Sequence, residues 1–129
     1  MSLQEPNSSP LPNPFVLHEE ELEGVRVIAV SGELDLSTAP RLEAPMEAAI
    51  AGEESRLLID LSGCEFIDST GIALIVRAWQ QLGGGNNGDS RFALCGLGDQ
   101  VRRLLEVSGL EASLPTHGSR EEALAQLRG

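Results

Sequence analysis

Asp68-Ser69-Thr70-Gly71 places a carboxylate, two hydroxyls and a glycine side by side, and the apolar run Ile72 to Leu82 follows at helical spacing. The apolar stretch Leu57-Leu58-Ile59-Asp60-Leu61 leads up to it, through a turn expected at Ser62-Gly63. The tetrapeptide therefore falls where a strand hands over to a helix. A helix start carries unpaired backbone N–H groups and a partial positive charge, so it can hold or receive an anion. Two readings follow. In one, Asp68 or Ser69 simply caps the helix. In the other, Ser69 presents a hydroxyl for phosphorylation, which would add about −1.5 to −2 charges and three strong acceptors. The helix amides would accommodate that charge, while Asp68, with Asp35 from a neighbouring strand end, would oppose it. The fold would survive, and the surface would turn hostile to a partner that accepted the bare hydroxyl.

Other chemistries find less support. A serine nucleophile needs a base and an oxyanion site, yet Gly-x-Ser-x-Gly does not occur, and neither His18 nor His117 sits where a base would be expected. Asp35, Asp60 and Asp68 are isolated on strands, which is thin for paired-carboxylate hydrolysis or for a metal. The glycine run at Gly83 has no following Lys-Ser/Thr, and Gly96-x-Gly98 lacks the third glycine of a dinucleotide fingerprint. Cys64 and Cys95 have no metal-site spacing and read as small buried hydrophobes. No catalysis, cofactor or metal is expected of this chain itself.

The elements that must position the motif are legible from periodicity. Residues 1–14, rich in Pro, Asn and Ser, read as a flexible leader, with one domain over residues 15–129. Phe15-Val16-Leu17-His18 with Glu20 to Leu22 reads as a half-exposed strand, and Val25 to Val30 as a stronger one after a turn at Gly24. Ser31 to Thr38 ends that strand and opens a helix. Ser37 or Thr38 is its cap, Leu42, Met46, Ala49 and Ile50 its inward face, and Pro45 should loosen its first turns or shift its start inward. The nearly continuous apolar run Arg56 to Leu61 suits a central strand covered on both faces. Ile72, Ile75, Val76, Trp79 and Leu82 form a buried helical stripe, followed by a flexible loop over Gly83 to Ser90. A fourth strand at Arg91 to Cys95 precedes a helix capped by Asp99 and ending at Ser108-Gly109. A short strand over Leu114 to Thr116 then leads to a last helix, opened by the capping box Ser119-Arg120-Glu121-Glu122. This alternation implies a single α/β domain with a mixed, mostly parallel sheet of four to five strands.

Composition narrows the partners. With 20 acidic against 9 basic residues the formal net charge is −11, and no basic run exceeds Arg102-Arg103. Nucleic acid and anionic membrane are therefore not expected, and a protein with a basic docking surface is. Three Phe, one Trp and no Tyr leave an aliphatic core. No apolar run reaches the roughly 18–20 residues that span a membrane. No secretory signal pattern is visible, so a cytoplasmic, reduced protein is the expectation.

Three blocks, in order, carry a family resemblance. Gly32-Glu33-Leu34-Asp35, Phe66-Ile67-Asp68-Ser69-Thr70-Gly71 and Val107-Ser108-Gly109-Leu110 resemble motifs of the STAS-domain anti-sigma-factor antagonists, over roughly residues 15–128. The resemblance implies a sheet covered mainly on one side by about four helices, and a role in partner switching. On that pattern the unphosphorylated chain binds an anti-sigma factor that is also a serine kinase, and the sigma factor is freed. The kinase uses its own bound ATP to phosphorylate Ser69, the complex dissociates, and a metal-dependent serine phosphatase resets it. Asp68, Thr70 and Gly71 would shape the acceptor loop, and Glu33, Asp35, Ser37 and Thr38 would line the adjacent docking rim. Thr70 is the competing acceptor; the motif favours Ser69. The alternative is a STAS module that docks to a transporter or signalling complex without being phosphorylated. Ile72-Ala73-Leu74 stands where many members have Leu-Gly-Val, which bears on helix packing rather than on the switch.

Overall fold

The computed structural model describes residues 14–52, 54–84 and 91–128. Residues 1–13 of the expected leader and 85–90 of the expected glycine-rich loop lie outside the described residues. The strands are β1 (Val16–Leu22), β2 (Val25–Leu34), β3 (Leu57–Ile67), β4 (Phe92–Cys95) and β5 (Thr116–His117). They lie in one sheet in chain order, β1 antiparallel to β2 and every later pair parallel. The β1–β2 turn is two residues, Glu23 and Gly24, both at positive φ, the geometry that matches the twist of a hairpin.

Chain order and handedness together decide where the helices go. Parallel crossovers are right-handed, so a chain that always steps toward the same edge lays every connecting helix on one face. Helices α1 (Ala39–Ile50), α2 (Ser69–Gln81) and α3 (Asp99–Val107) share a core with Ile28, Val30, Leu57, Ile59 and Leu61 on that face. The last helix, α4 (Arg120–Arg128), follows β5 and is not a crossover between two of these strands, so the handedness rule does not bind it to that face. On the other face its Ala123, Leu124 and Leu127 cover Val25, Val27, Leu58, Ala93 and Cys95. The sheet is thus mixed, mostly parallel and covered mainly on one side, and β3 at its centre is buried without a break from Leu57 to Leu61.

Several boundaries differ from those read from the sequence. Ser62-Gly63 is not a turn: β3 continues through it, as β2 continues through Ser31-Gly32, with register shifts between Ala29 and Ser31 and between Gly32 and Glu33. Small residues are used there for close approach rather than for reversal. A Cβ on Gly32, at φ +93°, would lie 2.7 Å from the Pro14 carbonyl oxygen. Pro45 does not move the start of α1, which begins at Ala39 after Thr38 with Pro40 in its first turn. The bond Pro45 removes is that to the carbonyl of Arg41, an exposed residue. Helix α3 is entered through Gly98, and Asp99 lies inside its first turn, where its charge complements the helix dipole. Leu114 is core rather than strand, and β5 starts at Thr116. Cys64 and Cys95 are free and buried, and burial drives the Cys95 thiol up to about 12.

Half of the expected capping box forms, Ser119 Oγ accepting from Glu122 N at 3.1 Å, while Glu122 Oε1 accepts from Gly118 N at 3.2 Å, one residue before the cap. One turn of chain then brings Arg120 over the sheet. Its Nη2 and Nε donate to Asp60 Oδ2 at 2.8 and 3.1 Å, and its Nη1 to Glu20 Oε2 at 2.7 Å. Asp60 is the one buried charged residue among the described residues. Burial alone would raise its carboxyl; the Ser62 hydroxyl and amide and the Arg120 guanidinium outweigh that and hold it below its ordinary value.

Arg120→Met leaves the buried Asp60 with its Ser62 bonds but without its ion-pair partner, and we expect it to cost about 2 kcal/mol in urea unfolding at pH 7. A depressed carboxyl contributes stability above its unfolded pKa of about 3.9 and loses it as pH falls through the folded value. The gap between parent and variant should therefore shrink below about pH 4. A gap that stays constant down to about pH 2 would contradict the ion-pair account.

Candidate functional site

Leu34 and Ile67 are register partners at the ends of β2 and β3. Whatever follows each strand is therefore held beside the other, at the carboxyl end of a parallel pair. After β2 comes the loop Asp35 to Thr38; after β3 come Asp68 and the start of α2. Gly71 allows the helix to sit directly on the strand ends, since a Cβ there would lie 2.7 Å from Ile67 Cγ1 and 2.9 Å from Leu34 Cγ. On the side of Ile67 away from β2 the shorter β4 has already ended, and its backbone would be left unpaired. Gln100 of α3 supplies both partners, accepting from Ile67 N at 2.9 Å and donating to Ile67 O at 3.0 Å.

Asp68 joins the two segments. Its amide donates to Leu34 O at 3.2 Å. Its Oδ1 accepts from Thr70 N at 2.9 Å and Gly71 N at 3.1 Å, which makes it the cap of α2. Its Oδ2 accepts from Leu36 N at 3.2 Å. The loop is also tied internally. Asp35 Oδ1 accepts from Ser37 Oγ at 2.8 Å, Ser37 N at 3.0 Å and Thr38 N at 3.2 Å. Thr38 Oγ1 accepts from Asp35 N at 2.9 Å and donates to Glu33 O at 2.8 Å. The Ser37 hydroxyl and the loop amides hold the Asp35 carboxyl below its ordinary value, against a smaller opposing effect of burial. The side chain of Thr38 thus braces the loop and does not cap α1.

Ser69 is the first residue of α2, and it is exposed. Its hydroxyl makes no hydrogen bond among the described residues, because the capping is done by Asp68. Thr70 is half-buried and Gly71 buried. Asp35, Ser37, Thr38, Asp68, Ser69, Thr70 and Gly71 are thereby brought into one patch, with exposed Glu33 at its edge on β2. Gly71 is buried against the Ile67 and Leu34 side chains.

Two clefts meet at this patch. One, about 390 Å³, runs between α1 and α2 past Leu36, Pro40, Thr70 and Leu74 to Arg77, which bonds Glu43 at 2.8 Å. The other, about 620 Å³, is bounded by Asp35, Leu36, Ser37, Phe66 and Asp68. No histidine or cysteine lines either cleft, and among the described residues no group of three His, Cys, Asp or Glu could hold a metal. Sequence reasoning missed two members of this site. Gln100 acts across the fold with no local signal, and Leu36 is a lone apolar residue in a polar loop.

Residues 18–123 match the STAS domain family. The chain is 30% identical over 106 residues to the anti-sigma-F factor antagonist RsfB of Mycobacterium tuberculosis, covering 82% of this chain and 84% of that protein. The crystal structure of an anti-sigma factor antagonist from Mycobacterium paratuberculosis aligns with a TM-score of 0.78 at 32% identity, over 90% of this chain and 96% of that one. The anti-sigma factor antagonist SpoIIAA in its unphosphorylated form aligns with a TM-score of 0.71 at 25% identity, over 88% and 97%. The chain belongs to the STAS domain family. No helix among the described residues is long and apolar enough to cross a membrane.

Asp68→Ala removes both the cap and the acceptor for Leu36. We expect a loss of about 1 kcal/mol in stability and faster amide hydrogen exchange at Leu36 as well as at Thr70 and Gly71. Exchange that rises only at Thr70 and Gly71 would show that the loop does not depend on this carboxylate.

Proposed function

We propose that this chain is an anti-sigma-factor antagonist that binds an anti-sigma factor with serine kinase activity, and that phosphorylation of Ser69 ends the binding. The observation that carries this reading is an exposed, unbonded hydroxyl on the first residue of α2. It is supported by the names of relatives, anti-sigma factor antagonists, and by the description of SpoIIAA as an unphosphorylated form.

The chemistry needs little of this chain. Ser69 Oγ attacks the γ-phosphorus of ATP held by the partner, its proton passes to a base of the partner, and ADP leaves. A metal-dependent serine phosphatase reverses the step by hydrolysis. Metal and nucleotide thus belong to the partners, and this chain contributes a substrate hydroxyl and the surface that presents it. Thr70, the competing hydroxyl, is half-buried along the cleft between α1 and α2, which favours Ser69. Such partners place the switch in the cytoplasm.

The switch is electrostatic. A phosphate on Ser69 brings about −1.5 to −2 charges beside the carboxylates of Asp68 and Asp35, at a helix start whose amides tolerate them. The fold is kept while a docking surface formed by Glu33, Asp35, Ser37, Thr38, Asp68 and Thr70 becomes more negative. A partner fitted to the bare hydroxyl then meets uncompensated charge, which raises its dissociation rate.

Ser69→Ala should melt with the parent, bind the kinase partner and fail to be released by ATP; Ser69→Asp should bind about tenfold or more weakly. Calorimetric titration, with mass spectrometry of the ATP-treated complex, checks both. Equal affinity of parent and both variants, or phosphate found elsewhere, would contradict the switch and leave a constitutive STAS interaction module.

A further inference from the structure

Leu36, at the apex of the loop after β2, is 74% exposed. A single exposed leucine is ordinary. What distinguishes this one is its fixed backbone. Its amide is held by Asp68 Oδ2, and its neighbours are held by Asp35 Oδ1 and Thr38 Oγ1. An apolar side chain on a pinned loop has already lost most of the backbone freedom that binding would otherwise take from it. Leu36 also stands as a ridge shared by both clefts, with Pro40 and Leu74 on one side and the half-exposed Phe66 on the other. Asp35 and Asp68 flank it, with Glu33 on the neighbouring end of β2, and none of the three has an ion-pair partner among the described residues. By contrast, Glu43 at the far end of the cleft is paired with Arg77.

We propose that Leu36 is the central apolar anchor for the protein partner that recognises Ser69, and that this partner offers an apolar pocket rimmed by basic side chains. The proposal rests on the antagonist reading above and names the contact that carries its affinity. Charge complementarity selects the occupant. A second copy of this chain would set one carboxylate rim against another, and nucleic acid or an anionic lipid surface would meet the same carboxylates. A basic-rimmed pocket neutralises the rim while burying the leucine, the arrangement of an apolar centre inside a polar ring. Because Leu36 packs into no part of the core, its removal acts on binding alone.

The test titrates the full chain and its variants against the purified ATP-binding anti-sigma factor encoded in the same genome, with sedimentation of the chain alone alongside. Leu36→Ala should melt with the parent yet bind roughly ten- to a hundredfold more weakly, through faster dissociation and with an unchanged salt dependence. Leu36→Asp should bind more weakly still, and Leu36→Met should restore near-parent affinity. Glu33→Gln should lower the salt dependence and the association rate instead. If the parent binds while Leu36→Ala and Leu36→Asp bind within about twofold of it, the anchor is overturned and the antagonist reading stands. If the parent itself binds no anti-sigma factor, both fall. A parent dimer that Leu36→Asp dissociates would overturn the choice of occupant.

Discussion

The carboxylate of Asp68 ties together parts of the chain that would otherwise move independently. Its amide closes onto Leu34, one oxygen receives the first amides of α2, and the other receives the amide of Leu36. The end of β2, the end of β3, the apex of the intervening loop and the start of α2 thereby behave as one unit. A serine in the capping position would have its hydroxyl committed to a helix amide. Here the aspartate takes that task and the next residue, Ser69, is left with a free hydroxyl on a rigid support. Asp68 or Ser69 could have been the cap; the structure gives that task to Asp68.

The rest of the fold exists to bring those strand ends together. Handedness puts α1, α2 and α3 on one face, so both segments of the site emerge between helices packed on a common core. The opposite face is closed by α4 and the Asp60–Arg120–Glu20 network. Gly71 and Gln100 are the fine adjustments. One lets α2 approach the strand ends, and the other satisfies the Ile67 backbone beyond the end of β4.

Much of this was legible beforehand, for physical reasons that can be named. The run Leu57 to Leu61, apolar but for Asp60, identified the central strand because a strand covered on both faces is nearly continuously apolar. The box at Ser119 and Glu122 identified α4 because both partners lie within one turn. The site residues around Asp35 and Asp68 were legible as strand ends before helices. The continuation of both strands was hidden because Ser31-Gly32 and Ser62-Gly63 are turn residues by type, used here in register shifts. Contacts distant in sequence, such as Gln100 on Ile67 and Arg120 on Asp60, leave no local pattern. Leu36 escaped because exposure gives an apolar residue no periodicity.

The central claim is that charge added at Ser69 ends a complex that the bare hydroxyl permits. The most direct measurement is native mass spectrometry of the purified complex with the cognate anti-sigma factor, sampled after ATP is added, with the phosphorylated peptide mapped in each species. The account predicts one phosphate per chain, on Ser69, confined to the dissociated species. Phosphate on Ser69 in a complex that persists unchanged would contradict it.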